Sequence, residues 1–317
     1  MAMSWTFKRV AVVGSGAIGL YYGGRLALGG EDVSFLARSD VDALTTAGLR
    51  VDSAHGNFHL PKVKAFPTAA EIGPVDLVLV SWKATSNAHL SEVLPPLLHA
   101  GTQVLTLQNG LGNCEVIAEI VGADRVLGGL CFVCINRLAS GHVAHTAGGR
   151  VAIGEWRQAD GRAEEIMRRF KTAGIPAEAV PNLEQAQWEK LVWNVPFNGL
   201  SVALGGVTTD VLLAAAETEA RIRDLMREVI SAARVLGLPL ADGLIDFNID
   251  RTRPMGAYRT SSMIDFTEGR EVEVGPIWEE PLRRAKAAGL PMPHLTRLVE
   301  EIRARMARRD KAACGNR

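Results

Sequence analysis

The chain has 317 residues, 47% of them hydrophobic and 22% charged, the make-up of a soluble globular protein long enough for two domains. Thirty-five Lys and Arg balance thirty-five Asp and Glu, which removes the electrostatic case for a nucleic acid or an anionic membrane as partner. No apolar run approaches the about 18 residues that span a bilayer, and Met1 to Lys8 lacks the apolar core of an export signal, so the expected location is the cytoplasm.

The first element is Arg9-Val10-Ala11-Val12-Val13, a continuous apolar run of the kind found in central parallel strands. Gly14-Ser15-Gly16-Ala17-Ile18-Gly19 follows at once, and a helical pattern opens at Ile18, Tyr22 and Leu26. A second strand is expected over Asp32 to Arg38. A G-x-G-x-x-G between a strand and a helix, with a further strand after it, predicts a dinucleotide site. Gly14 permits the tight turn, Gly16 lets the backbone approach a pyrophosphate, and Gly19 lets the helix pack on the strand. The helix start offers its N–H groups to the phosphates. The six residues from Gly14 to Gly19 are therefore the candidate phosphate-binding turn.

The end of the second strand bears on the cofactor. NAD enzymes place an Asp or Glu there to hold the ribose 2′-hydroxyl, whereas this chain has Ala37-Arg38-Ser39, with Asp40 beyond. Arg38 can meet a 2′-phosphate with a planar charged fork, so NADP(H) is the expected cofactor. The plain alternative is a solvated arginine. Strands are also expected over Asp76 to Trp82 and Gln103 to Leu107, followed by Lys83 and by Gln108-Asn109-Gly110. In a doubly wound sheet ligands sit at the carboxyl ends of strands. Lys83 and Asn109 are thus candidates for the nicotinamide end of the cofactor, against a surface lysine and an ordinary Asn-Gly turn.

From Arg125 the pattern changes. Val126 to Ile135, His142 to His145 and Arg150 to Gly154 read as three short antiparallel strands extending the sheet. Cys131 and Cys134 lie inside the first of these and read, with Cys114 and Cys314, as thiols in a reducing compartment. His142 and His145 lack a carboxylate cluster, so they read as structural or surface groups and no metal is expected. A helix over Ala163 to Ala173 and a strand over Ile175 to Val180 complete a first domain, residues 1–181.

After Asn182 nearly everything has helical period, which gives a second domain, residues 182–317. Ile222, Leu225, Met226, Val229, Ile230 and Ala233 mark one amphipathic helix; Pro281 to Ala288 and Leu295 to Ile302 mark two more. The tail after Met306 is basic and is expected to fray. In Trp188 to Asn198, Lys190, Asn194 and Asn198 are spaced i, i+4, i+8, so one ammonium and two amides share one helix face. The positions between them are mostly apolar. Polar groups on a buried helix are costly unless they meet partners or a ligand; the alternative is a lysine reaching water. Tyr258 to Met263 and Glu268 to Val274 form an interhelical segment whose hydroxyls, arginine and acids would suit an anionic substrate; the plain alternative is a solvated polar loop.

Taken together these pieces resemble the ketopantoate reductase (2-dehydropantoate 2-reductase) family, from about Arg9 to about Ile302. The resemblance rests on the glycine turn, Trp82-Lys83, Gln108-Asn109-Gly110, Trp188-Glu189-Lys190-Leu191 with Asn194 and Asn198, Ser261-Ser262-Met263, and Gly269-Arg270 followed by Glu273. It implies an α/β Rossmann-type dinucleotide-binding domain followed by an all-α C-terminal domain. It implies NADPH-dependent reduction of a small 2-keto acid, ketopantoate. It also implies Lys190 as catalytic lysine, Glu273 as its acidic partner, and Asn194, Asn198 and Ser262 as substrate contacts. Lys83 and Asn109 would lie near the nicotinamide. The helical domain is the expected place for a homodimer. The spacing from Ser262 to Glu273 is one residue shorter than the family's usual pattern. Ile277-Trp278-Glu279 stands where the family often has Asn-Gly, which marks Trp278 as an expected point of difference near the substrate-binding helices, where it would reshape the pocket. A related dehydrogenase acting on another 2-keto or 3-hydroxy acid, and a non-catalytic NADPH-binding regulator, are the competing readings.

Overall fold

The computed structural model describes residues 6–157 and 160–315. It divides into two compact units: residues 1–109 with 113–183, and residues 110–112 with 184–317.

The first unit is built on one sheet of ten strands: β1 (Arg9–Val13), β2 (Asp32–Leu36), β3 (Leu49–Ser53), β4 (Phe58–Leu60), β5 (Lys64–Phe66), β6 (Leu77–Val80), β7 (Gln103–Thr106), β8 (Val126–Ala139), β9 (His142–Glu155) and β10 (Ala177–Ala179). Their order is β4-β3-β9-β8-β7-β6-β1-β2-β5, with β10 beside β9. From β5 to β8 neighbours run parallel. β6, β7 and all of β1 but Arg9 are buried, which is why those segments are apolar without alternation. Beyond β8 the sheet becomes mixed, with β8–β9 and β3–β4 antiparallel.

The sheet curls around the helix Ala17–Leu28, and two adjacent glycines permit it. A Cβ on Gly23 would lie 2.7 Å from Phe35 Cε1 and 2.8 Å from Val12 Cγ2; one on Gly24 would lie 2.6 Å from Leu49 Cδ2. One bare position thus lets the helix meet β1 and β2, and the next lets it meet β3. The Tyr22 hydroxyl donates to the Gly149 carbonyl of β9 at 3.3 Å, closing the same embrace.

The extension differs from the expected three short strands: it is one hairpin of two 14-residue strands. The pairing Phe132↔Arg150 steps to Val133↔Gly148, which leaves Gly149 unopposed. Gly148 and Gly149 have φ of 73° and 111°. Glycine can adopt the positive φ of a bulge, so a Gly pair that looks like a turn in the sequence keeps the ladder running.

The second unit is helical: Leu183–Ala203 (all but its first residue), Thr209–Ala214, Ala216–Val235, Leu244–Thr252, Ser261–Thr267, Glu280–Ala287 and Pro293–Gly315. Its core gathers Trp188, Leu191, Val195, Leu225, Val229, Trp278, Leu295 and Leu298. Two expectations are corrected. The polar segment read as a loop is loop or turn over residues 258–260 and 268–273, but a short helix, Ser261–Thr267, interrupts it. The last helix does not stop near Met306; it runs to Gly315. Arg305 donates to the Ala203 carbonyl at 3.1 Å, and Arg309 donates to the carbonyls of Phe266 and Arg270 at 3.2 and 3.0 Å. The start of the basic tail is therefore tied down by Arg309, with Arg305 just before it, each serving carbonyls left over at other helix ends and turns. Among the described residues no helix is long and apolar enough to cross a membrane.

Candidate active site

The three glycines of the turn after β1 do three different jobs. Gly14 has φ 112°, and a Cβ there would lie 2.8 Å from the Trp82 nitrogen. Gly19 could not carry a Cβ without running into the Gly14 carbonyl and the Ser81 hydroxyl. Gly16 differs: a Cβ on it would meet nothing within 4 Å. Packing does not demand that glycine, and the space beside it is open. Gly16 caps the helix Ala17–Leu28 without a side-chain cap bond, and no acid lies in the first turn. Ser15, Ala17 and Ile18 are half-buried around it. An uncapped helix start beside open space suits the pyrophosphate of a dinucleotide.

The neighbouring strand ends are brought to the same edge. Ser81, just past β6, donates to the carbonyls of Val13 and Gly14 at 3.2 and 3.0 Å. Lys83 follows it, half-buried. Past β7, a chain of polar side chains holds the Asn109 turn. Thr106 donates to Gln108 Oε1 (2.9 Å), Gln108 Nε2 to Asn87 Oδ1 (2.7 Å), Asn87 Nδ2 to Asn113 Oδ1 (3.0 Å), and Asn113 Nδ2 to the Asn109 carbonyl (3.0 Å). Each amide both donates and accepts, so its orientation is set by its neighbours. Sequence reading missed Ser81 and this chain, because Asn87 and Asn113 lie on elements with no motif of their own. Past β2, Arg38 is exposed and makes no hydrogen bond or ion pair among the described residues.

The second group of candidates lies in the helical unit. Lys190 is half-buried on the helix Leu183–Ala203, and Asn194 and Asn198 are 6% and 2% exposed. Asn198 Oδ1 accepts the Ser262 N–H at 3.1 Å and the Ser261 hydroxyl at 3.3 Å. Thr260 accepts the Met263 N–H at 3.3 Å. Two orphan N–H groups at the start of the Ser261–Thr267 helix are thus satisfied, one locally and one from a helix 64 residues away. The structure therefore brings Asn198 and Ser262 together. The turn before Glu273 is fixed by Arg270, whose Nε donates to Asp265 at 2.9 Å and which also pairs with Glu268. Burial works to lower the guanidinium pKa, but Asp265 and Glu268 together outweigh it and hold the value above its usual range. Glu273 is half-buried.

Trp278 is not at an open surface. It is fully buried in the helical core, and its indole N–H donates to the Val195 carbonyl at 2.9 Å. A Cβ on Gly199 would lie 2.8 Å from the indole nitrogen, so Gly199 makes room for the ring. Pro196 interrupts the helical N–H ladder in this same turn. Trp278 thus acts on the backbone between Asn194 and Asn198.

The two histidines stabilise the sheet extension. His142 pairs with Asp52 at 2.7 Å. His145 is 2% exposed; its Nε2 faces the carbonyls of Ala147 and Gly148, and its Nδ1 lies 2.8 Å from the Ser53 hydroxyl. Two carbonyl acceptors at Nε2 place a proton there, and the Ser53 hydroxyl, which already accepts from Arg25 and from the His55 N–H, is set to donate to Nδ1 of the neutral ring. Burial, with His55 close by, holds its pKa below the usual histidine value. Among the described residues no group of three or more His, Cys, Asp or Glu is placed to hold a metal. Cys114, Cys131 and Cys134 form no disulfide; the side chain of Cys314 lies outside the described residues.

The family model "Ketopantoate reductase PanE/ApbA" matches residues 10–158, and its C-terminal companion matches residues 182–306. The chain is 39% identical to a 2-dehydropantoate 2-reductase of Nostoc over 93% of its own length and 94% of the relative's. It superposes on the crystal structure of a 2-dehydropantoate 2-reductase from Geobacter metallireducens with a TM-score of 0.91 and 43% identity, covering 93% of this chain and 99% of that one. A D-mandelate dehydrogenase solved with NADH and anilino(oxo)acetate has the same fold, at a TM-score of 0.88 and 20% identity, covering 95% and 99%. On these grounds the chain belongs to the ketopantoate reductase PanE/ApbA family and is a dinucleotide-binding oxidoreductase.

Proposed function

We propose that this protein reduces the 2-keto group of ketopantoate to the alcohol of pantoate, with NADPH as reductant. The observation that carries the reading is the helix Leu183–Ala203: a half-buried ammonium followed at one-turn intervals by two buried amides, in a chain whose relatives are 2-dehydropantoate 2-reductases. The Gly14–Gly19 turn receives the pyrophosphate, and Lys83 and Asn109 serve the nicotinamide end. When bound, the dihydronicotinamide supplies the hydride that adds to C2. As the carbonyl oxygen gains charge, Lys190 donates a hydrogen bond and then its proton to that oxygen. Glu273 orients the ammonium. Asn198 spends its oxygen on the Ser262 N–H, so its Nδ2 is the end that donates to substrate, beside Asn194 and the Ser262 hydroxyl. The fold itself does not select the cofactor, since the D-mandelate dehydrogenase of the same fold was solved with NADH. Arg38 favours NADPH here, because its fork matches a 2′-phosphate and no acid takes its place.

The test is oxidation of NADPH and NADH by purified protein with ketopantoate, beside a panel of other 2-keto acids and the variant Lys190→Ala. Turnover of ketopantoate with NADPH is expected, and loss of the general acid should lower kcat by about 10²–10⁴-fold while cofactor binding persists. A variant that turns over at the normal rate would remove Lys190 from the chemistry. Preference for a different keto acid would keep the chemistry and reassign the substrate.

A further inference from the structure

The acid that follows Arg38 is disposed in an unusual way. Asp40 is fully buried. Its Oδ1 accepts from Arg137 Nη2 at 2.6 Å and from the Ser39 hydroxyl at 3.5 Å, while its Oδ2 is buried without a hydrogen-bond partner among the described residues. Arg137 comes from the far end of β8, 97 residues away. It is steadied there by its own bonds to the Ala139 carbonyl and the Ser140 hydroxyl, both at 3.3 Å. The hairpin end is docked independently of this pair: Arg50 N–H donates to the Gly141 carbonyl at 2.8 Å, and His142 meets Asp52. The guanidinium is therefore held in place by the fold, and it is the one charged partner of Asp40 among the described residues.

A buried carboxylate with half of its acceptors empty depends on its cation. Deprived of it, the carboxylate turns toward the nearest other positive charge or toward water. Two residues back stands Arg38, exposed and without a partner among the described residues. A carboxylate released at this strand end would do two things. It would pair with Arg38, removing the cation offered to a 2′-phosphate, and it would present an acceptor of the kind that holds a ribose 2′-hydroxyl. We propose that Arg137 is a positioning residue for cofactor specificity: by keeping Asp40 neutralised and turned inward, it leaves Arg38 to set the charge that the cofactor meets. This inference rests on the assignment of Arg38 to the 2′-phosphate.

The experiment compares KM for NADPH and NADH, with kcat, in the full-length protein and in Arg38→Gln, Arg137→Gln, Asp40→Asn and the double variant Arg137→Gln/Asp40→Asn. Arg38→Gln should raise KM for NADPH by about tenfold or more, the worth of a charge-assisted bond; no effect would overturn the Arg38 assignment and this inference with it. Given that effect, Arg137→Gln should raise KM for NADPH by a similar factor and lower KM for NADH, at nearly constant kcat. The double variant should return to within about twofold of the parent, because the stray carboxylate is gone. An Arg137→Gln enzyme with the parent's preference would overturn the inference while sparing Arg38. So would a double variant as impaired as the single, which would mean the pair merely braces the loop. Asp40→Asn alone, which buries no charge, should bind NADPH no worse than the parent. A shift of that variant toward NADH would also overturn the inference.

Discussion

The two units assemble their functional groups from opposite materials. The sheet unit makes its candidate site from what is missing: bare positions at Gly14, Gly16 and Gly19, an uncapped helix start, and strand ends that carry backbone to one edge. The helical unit makes its candidate site from what is present and costly: an ammonium and two amides on a helix otherwise lined by Leu191, Val192, Val195 and Phe197. A site of backbone tolerates change wherever space is open and fails wherever a Cβ would strike backbone. A site of buried side chains fails wherever a polar partner is removed. The difference also separates binding from stability within each unit.

The sharpest way to break this comparison is within the glycine turn. Gly19→Ala places a methyl against the Gly14 carbonyl, which is backbone and cannot swing away; at least about 3 kcal/mol of stability should be lost, at the upper end of overpacking effects. Gly16→Ala meets open space at an ordinary φ of −76°, and its stability should stay within about 1 kcal/mol of the parent while dinucleotide affinity falls. Thermal melts with and without cofactor separate the two. Equal destabilisation by both would mean that packing, not a ligand, requires Gly16.

A smaller effect tests the helical unit. Asn198→Ala strands the buried Ser262 N–H and should cost about 1–3 kcal/mol, with a raised KM for the keto acid. Thr260→Ala removes the neighbouring cap and should cost about 0.5–2 kcal/mol with KM unchanged. Denaturant melts beside steady-state kinetics make the comparison. If both variants alter KM alike, Asn198 serves as a cap and nothing more.

The smallest effect lies in the sheet extension and depends on pH. His145 is held neutral, with its pKa below the usual value chiefly because it is buried. The unfolded chain therefore takes up this proton first as pH falls through about 6.5. The stability that His145 contributes is complete above that pH and is lost as pH falls through the lowered folded value. The stability difference between the protein and His145→Gln should shrink over that interval. A difference that stays flat from pH 7 to pH 5 would show that the ring accommodates its charge.

Local pattern by itself determined a great deal about this chain. The strand, glycine turn and helix of residues 9–28, the buried strands β6 and β7, and the long amphipathic helices were legible because each writes its own period or its own obligatory glycines into neighbouring residues. The cost of a lysine and two amides on an apolar helix was legible for the same reason. Tertiary structure alone decided what depends on residues far apart. Gly148 and Gly149 signal a turn locally, yet pairing with β8 makes them a bulge inside one long strand. The Ser261–Thr267 helix starts where it does with Asn198 supplying an acceptor from another helix. Trp278 was expected beside the helix that carries Asn194 and Asn198, and only the packed helices decide that its indole bonds the Val195 carbonyl of that helix. Asp40 looked like a bystander until Arg137 came round the curled sheet to meet it. In each case the deciding partner lies on another element, and no local spacing can encode a hydrogen bond or an ion pair that only the packed sheet or the packed helices create.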